Sequence, residues 1–352
     1  LSIQKDLTVN GTLNIWHDGS LLMTDNLGKV NNNGSIQIRK TTTTLKRYDY
    51  TYWSSPVKNA LLKEVFAASP QNSFYSFETT NYSDTNGDDV DDNGNAWQRA
   101  SGSMKVGKGY TAMAPNTNPF INKQSVSFEG PVNNGIINVP VALSSDDTNN
   151  NDDWNLIGNT YTSAINAGNF LNDGNNITLI NGSIYYWTHN TSVNINNVDK
   201  PYSSDDYAIY NIGTGGIKAT SQGEIPTGNI ASGQGFFVEA IKSGNVVFNN
   251  QMRLKLENDN FFKTENTKNK ETQEKEKMWL NLSNDQGAFS QILIGFMPEA
   301  SDQIESKYDS PRLDGSNYLS FYSIVDEQYL AIQGTKSISG KEVIRLGFSS
   351  II

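Results

Sequence analysis

Hydrophobic and polar positions alternate in short runs from the first residues onward. Leu1 to Asn10 alternates, and a phrase then recurs: Asn10-Gly-Thr-Leu-Asn-Ile15, Asp18-Gly-Ser-Leu-Leu-Met23 and Asn33-Gly-Ser-Ile-Gln-Ile38. Each copy places Asn or Asp with Gly at a tight turn and follows it with alternating apolar positions, the pattern of a strand with one buried face. The spacings, 8 and then 15 residues, together make 23, about one coil of a solenoid. Residues 1–45 are therefore expected to be the last coils of a parallel β-solenoid whose earlier coils lie upstream. The same residues also read as a hairpin edge of the following domain.

A longer repeat follows. Trp53-Ser-Ser-Pro56, Phe74-Tyr-Ser-Phe77, Gly107-Lys-Gly-Tyr-Thr-Ala-Met-Ala114 and Val126-Ser-Phe128 are echoed, in the same order, by Trp154-Asn-Leu-Ile-Gly158, Ile184-Tyr-Tyr-Trp187, Gly233-Gln-Gly-Phe-Phe-Val-Glu-Ala240 and Val246-Val-Phe248. The offsets are 101, 110, 126 and 120 residues, so strands are kept while loops vary, as in two related β modules. Each Gly-x-Gly precedes alternating aromatic and small residues, which predicts a turn or close backbone packing where the strand begins. No helical pattern follows to offer its N-terminus to a phosphate.

Lys263 to Lys277 contains no apolar residue and alternates five Lys with four Glu, a solvated linker or loop. Beyond it, Trp279–Leu282, Phe289–Phe296, Leu319–Tyr322, Tyr329–Ile332 and Val343–Phe348 read as strands of another antiparallel sandwich. The one notable helix candidate is Asn59 to Ala68 (NALLKEVFAA). The expected fold is all-β: a solenoid end over 1–45, tandem antiparallel β-sandwich modules over 46–145 and 146–256, a charged linker over 257–277 and a C-terminal sandwich over 278–352.

Composition narrows the setting. Of 352 residues, 27 are Lys or Arg and 37 Asp or Glu, and a net charge of −10 disfavours nucleic acid and anionic membranes. Cysteine is absent and there are two histidines, which excludes thiolate chemistry and multi-histidine metal centres. The 45 Asn residues, with 29 Gly, point to many turns between short strands. No apolar run approaches the length of a membrane span, and no signal segment is present. Low charge with abundant Asn, Thr, Ser and aromatics fits an exported β protein.

Candidate chemistry is confined to two places. Asp84-Thr-Asn-Gly-Asp-Asp-Val-Asp-Asp-Asn-Gly94 sets oxygens at alternate positions, and Asp84, Asn86, Asp88 and Asp92 fit slots of a Ca²⁺ loop. Asp89 stands where such a loop has glycine and Asn95 where it has Glu; a hydrated acidic loop is the competing reading. Tyr185, Trp187, Tyr202 and Tyr207 are candidates for stacking on a glycan, although strand alternation must send about half of the nearby rings inward, Trp154, Tyr186 and Phe237 among them. His17 and His189 lie in no catalytic motif, and no catalytic residue is assigned.

Tyr52-Trp-Ser-Ser-Pro-Val57, Gly107-Lys-Gly-Tyr110, Trp154-Asn-Leu-Ile-Gly-Asn159, Gly233-Gln-Gly-Phe-Phe-Val238 and Gly287-Ala-Phe-Ser-Gln-Ile-Leu-Ile-Gly295 resemble the C-terminal region of large surface or secreted proteins of gliding and related Bacteroidota. The resemblance covers nearly the whole chain. It implies export through the type IX secretion translocon by means of a sorting domain that would follow Ile352, and an outer-membrane-surface or extracellular setting. Thr160 and Thr162 replace prolines of the family pattern, which implies a looser turn. The expectation is a non-catalytic stalk or adhesion module with a glycan or protein ligand. The alternative is an accessory or carbohydrate-binding region of a polysaccharide-degrading enzyme.

Overall fold

The 23-residue spacing reappears as strand register. In the computed structural model, β1 (Ser2–Ile3), β2 (Leu7–Val9) and β3 (Thr12–Ile15) run parallel to β4 (Leu22–Met23), β5 (Val30–Asn32) and β6 (Ser35–Thr41). Leu7 pairs with Val30 and Ile15 with Ile38, each 23 residues on. Side chains keep the same step: Asn33 donates to Asn10 Oδ1 at 3.0 Å, and Lys40 Nζ donates to the His17 carbonyl at 2.6 Å. Gly34 sits so closely on this stack that a Cβ there would lie 2.0 Å from the Gly11 carbonyl oxygen. The structure describes residues 1–83, 91, 93–145, 152–188, 207–258, 276–284, 288–313, 319–336, 340 and 342–350.

Strand β6 has two roles. One edge holds β3 in parallel; the other pairs antiparallel with β11 (Ser125–Glu129), Ile38 opposite Phe128. The remaining strands of the first repeat are β7 (Tyr50–Trp53), β8 (Phe74–Phe77), β9 (Trp97–Arg99) and β10 (Tyr110–Met113), in sheet order β7-β10-β8-β9. Ile36 and Ile38 of β6 pack in one core with Trp53, Phe66, Phe74 and Phe128. The Asn59–Ala68 helix shrinks to α1 (Leu62–Val65). Asn59 is left-handed at φ 60°, and Leu61 is extended and bridges to Ser103, so tertiary pairing overrides helix propensity there.

The second repeat comprises β12 (Ile137–Val141), β13 (Trp154–Gly158), β14 (Ile165–Asn166), β15 (Ser183–Trp187), β16 (Tyr207–Asn211), β17 (Gly215–Ile217), β18 (Asn229–Ile230), β19 (Gly235–Glu239) and β20 (Gly244–Phe248). Its main sheet runs β13-β19-β15-β16-β17, with β12 on β20 and β14 on β18. Strand β12, expected at the end of the first module, thus pairs within the second. The C-terminal sheet contains β21 (Glu276–Ser283), β22 (Phe289–Phe296), β23 (Ser310–Pro311), β24 (Leu319–Val325), β25 (Gln328–Thr335) and β26 (Arg345–Ser350), in order β21-β22-β25-β24-β26 with β23 on β25. Strand β21 starts at Glu276, inside the segment expected to be a linker, and the β22–β25 pair is parallel where an antiparallel sheet was expected. The fold is all-β, with several mostly antiparallel sheets.

Register also fixes how the repeats correspond. Trp53 pairs with Tyr110, directly after Gly107-Lys-Gly109, and Ile157 pairs with Phe236, directly after Gly233-Gln-Gly235. Trp53 therefore corresponds to Ile157 and not to Trp154. The copies then cross reciprocally: Trp53 bridges to Gln234 and Ile157 to Lys108. Ser54 N–H donates to the Gly233 carbonyl at 2.8 Å, and Gly158 N–H to the Gly107 carbonyl at 3.0 Å. This is the pattern of an isologous dimer, built within one chain around a pseudo-twofold axis. Gly107 and Gly233 adopt φ of +82° and +74°, while a Cβ on Gly109 would lie 2.5 Å from Leu156 Cγ and one on Gly235 2.9 Å from Trp53 N. The glycines act as the sequence predicts, through backbone approach.

The parallel strand pairs make a sharp prediction. Gly34→Ala forces backbone apart and is expected to destabilise by about 1–3 kcal/mol in urea titration. Gly11→Ala, with nothing within 4 Å of its Cβ position, is expected to leave the midpoint within experimental error.

Candidate functional site

The two repeats meet in a cluster of rings. Phe77 and Trp97 end the β8–β9 pair and face each other at 5.1 Å and 78°; Trp187 and Tyr207, at the corresponding place on β15–β16, do so at 5.1 Å and 63°. Between these pairs stand Tyr52 and Phe237, 5.6 Å apart. Trp187 stacks on Tyr52 at 5.9 Å and 18° and donates from Nε1 to the Tyr50 carbonyl at 3.0 Å. The Tyr52 and Tyr207 hydroxyls share a 2.6 Å hydrogen bond. Tyr52 and Phe237 are buried, while Phe77, Trp97, Trp187 and Tyr207 are half-buried. The cluster is thus a seam whose outer rings reach solvent.

Of the aromatic candidates, Trp187 and Tyr207 lie in this seam. Tyr185 is a core residue instead: it is fully buried, edge-on to Trp154 at 4.7 Å, and its hydroxyl donates to the Pro311 carbonyl at 2.7 Å. Alternation puts both on one face of the sheet, and position along the strand makes the split: Tyr185 sits at the middle of β15, where the C-terminal sheet covers it, and Trp187 at its end. Trp154, Tyr186 and Phe237 are buried as expected. Tyr202, His189 and the Ca²⁺ candidates Asp84, Asn86, Asp88 and Asp92 lie outside the described residues. Among the described residues no group of three or more His, Asp or Glu is gathered as a metal site requires. The sequence reading missed Phe77, Trp97 and Tyr52; the cue was alternation in Tyr50-Thr-Tyr52 and Phe74-Tyr-Ser-Phe77.

A cleft of about 20 Å³ lies between the second repeat and the C-terminal sheet, lined by Tyr207, Lys218, Gln291 and Arg312 among others. Its size admits a water, far below the several hundred Å³ of a ligand pocket. Two carboxyls of the interior are strongly perturbed. Glu239 is pushed up to about 8 by burial, with the charges of Asp153 and Asp152 adding, while a hydrogen bond from Asn181 opposes the shift. Asp309 is raised to about 6 by burial, against hydrogen bonds from the Glu305 and Gly334 amides.

Residues 1–351 match the model of a family described as Domain of unknown function (DUF8693), and the chain belongs to that family. Neither a curated protein nor a solved structure matches it.

A raised carboxyl binds its proton more tightly in the native than in the unfolded state, so stability is fully present below the unfolded value and is lost as pH rises through the folded one. For Glu239 that loss runs from 4.5 toward about 8. Glu239→Gln is expected to flatten the fall in Tm across this window, measured by calorimetry at stepped pH, and to leave the variant the more stable protein at the alkaline end.

Proposed function

We propose that this member of the DUF8693 family is a non-catalytic, surface-exposed or secreted module whose two repeats cap a parallel β-solenoid and act as a stalk or adhesive segment. One observation carries the reading: the repeats bond to backbone of the second set of parallel strands at several points. Strand β11 covers the outer edge of β6. Thr162 Oγ1 and Arg253 Nη2 donate to the Leu21 carbonyl at 2.7 and 2.6 Å. Asn134 Nδ2 donates to the Asp25 and Gly28 carbonyls at 3.0 and 2.9 Å. An uncovered solenoid end is a template for further strands, and a cap removes it. Among the described residues β1, β2 and β3 pair with β4, β5 and β6 alone, at offsets of 20, 23 and 23 residues, which leaves their other edges for strands of a similar step.

The interior carboxyls Glu239 and Asp309 support a non-catalytic role, since each is held by structural partners away from the surface. The likeness to exported Bacteroidota surface proteins supports an extracellular setting and export by the type IX translocon. Among the described residues no helix is long and apolar enough to cross a membrane.

Duplicating residues 1–23 ahead of Leu1 tests the cap. The added coil is expected to order on β1, β2 and β3, raising Tm and protecting their amides from exchange. A disordered extension with Tm unchanged rejects the solenoid reading, and release of reducing ends from a polysaccharide panel rejects the non-catalytic one.

A further inference from the structure

The pseudo-twofold axis makes one sheet face of each repeat equivalent, and the two faces have different fates. Within the first repeat, Tyr50, Tyr75, Phe77, Trp97 and Arg99 share a face, because Tyr75 stands opposite Arg99 and Phe77 opposite Trp97, while Tyr50 joins them across β10 through Met113 and Thr111. Their counterparts by register are Trp154, Tyr185, Trp187, Tyr207 and Ile209. Even ring geometry is kept: Tyr50 and Tyr75 meet edge-on at 6.0 Å and 72°, Trp154 and Tyr185 at 4.7 Å and 81°.

In the second repeat this face is covered. Trp154, Leu156, Tyr185, Ile209 and Phe237 pack with Leu293, Ala331 and Ile332 of the C-terminal sheet. On the first repeat, Tyr50, Tyr75, Trp97 and Met113 are half-buried and Arg99 is exposed. The chemistry has diverged accordingly. Arg99 stands where the second repeat has Ile209, and the buried Thr111 where it has Phe237, so an exposed guanidinium takes the place of aliphatic surface beside flat rings. Neither the Trp97 indole N–H nor the Arg99 guanidinium makes a hydrogen bond or ion pair among the described residues.

A face selected to dock a second protein sheet would keep the aliphatic surface of its counterpart. Rings whose edges carry donors, set beside an uncommitted cation, instead match a pyranose: its C–H face stacks on a ring while its hydroxyls or a carboxylate take up polar groups at the rim. We infer that the Tyr50–Tyr75–Trp97–Arg99 face of the first repeat is a binding surface for a polysaccharide chain. Trp97 supplies the stacking ring and Arg99 the polar contact. The site is independent of the capping role, since the coil packs on the opposite face of this sheet, against Trp53 and Phe74.

The test is affinity electrophoresis of the intact protein through gels containing xylan, glucomannan, hydroxyethylcellulose, polygalacturonate or alginate. Retardation in at least one gel is expected. Trp97→Ala is expected to weaken it about tenfold or more, with Tm checked in parallel. Arg99→Ala, at an exposed position, is expected to weaken binding to uronate polymers about tenfold and to neutral ones little, whereas Leu346→Ala on β26 leaves all mobilities unchanged. Titration of the native protein with the matching oligosaccharide should also shift its tryptophan emission. No retardation in any gel overturns the inference, as does retardation that both face variants retain. Concentration-dependent dimerisation abolished by Arg99→Ala, without polysaccharide binding, also overturns it and assigns the face to a second copy of the chain.

Discussion

The architecture depends on one steric condition: two backbone segments, each framed by glycines, must pass against a strand of the other repeat with no side chain between them. At Gly109 the neighbour is Leu156, and at Gly235 it is Trp53 with the preceding Tyr52. Because the hydrogen bonds across these contacts are reciprocal, the repeats cannot rotate or slide independently. Their ring-bearing hairpin ends are thereby brought together in one seam, and the two equivalent faces are sent in different directions. One meets the C-terminal sheet, and the other is left half-buried with Arg99 exposed.

The chain has no cysteine, and side-chain amides tie its interior together at several buried points. Asn159 is fully buried and donates to the carbonyls of Ser163, Ile230 and Ala231, while its Oδ1 accepts from the Tyr161 amide. Asn176 and Asn211 are equally buried and tie loops to strands in the same way. Arg253 lies under the coil with its guanidinium 4.6 Å from the Tyr161 ring, bonded to Leu21, Ser163 and Asn134 and to no carboxylate among the described residues. Burial lowers it to about 10, which leaves it charged at neutral pH. Its bonds are to neutral groups oriented toward the cation, so its removal would strand several buried acceptors.

Much of this was legible in the residues, and the exceptions have physical reasons. The 23-residue step and the role of the Gly-x-Gly pairs follow from turn chemistry and from the absence of Cβ, both local. The correspondence of the repeats did not follow, because Trp53 and Trp154 invite alignment while the ladder aligns Trp53 with Ile157. The excess of Asn suggested turns, and much of it is there; the buried Asn159, Asn176 and Asn211 look no different in sequence from a loop Asn. Nor could alternation say which of two aromatic faces is covered, since that depends on a sheet more than a hundred residues away. The turn at Thr160 and Thr162 is not loose: Thr162 Oγ1 reaches Leu21 and the Thr160 carbonyl accepts from Asn133.

Strand β6 also bears on how such a chain could have been assembled. Because it pairs at once in parallel with β3 and antiparallel with β11, a crossover between genes at the expected boundary after residue 45 would deprive the first repeat of a strand of its own sheet. The smallest segment that can be exchanged intact begins upstream of Ser35 and carries a rung with it. Such a segment carries its own joint between parallel and antiparallel pairing, so β6 ties the two kinds of sheet into one unit of exchange.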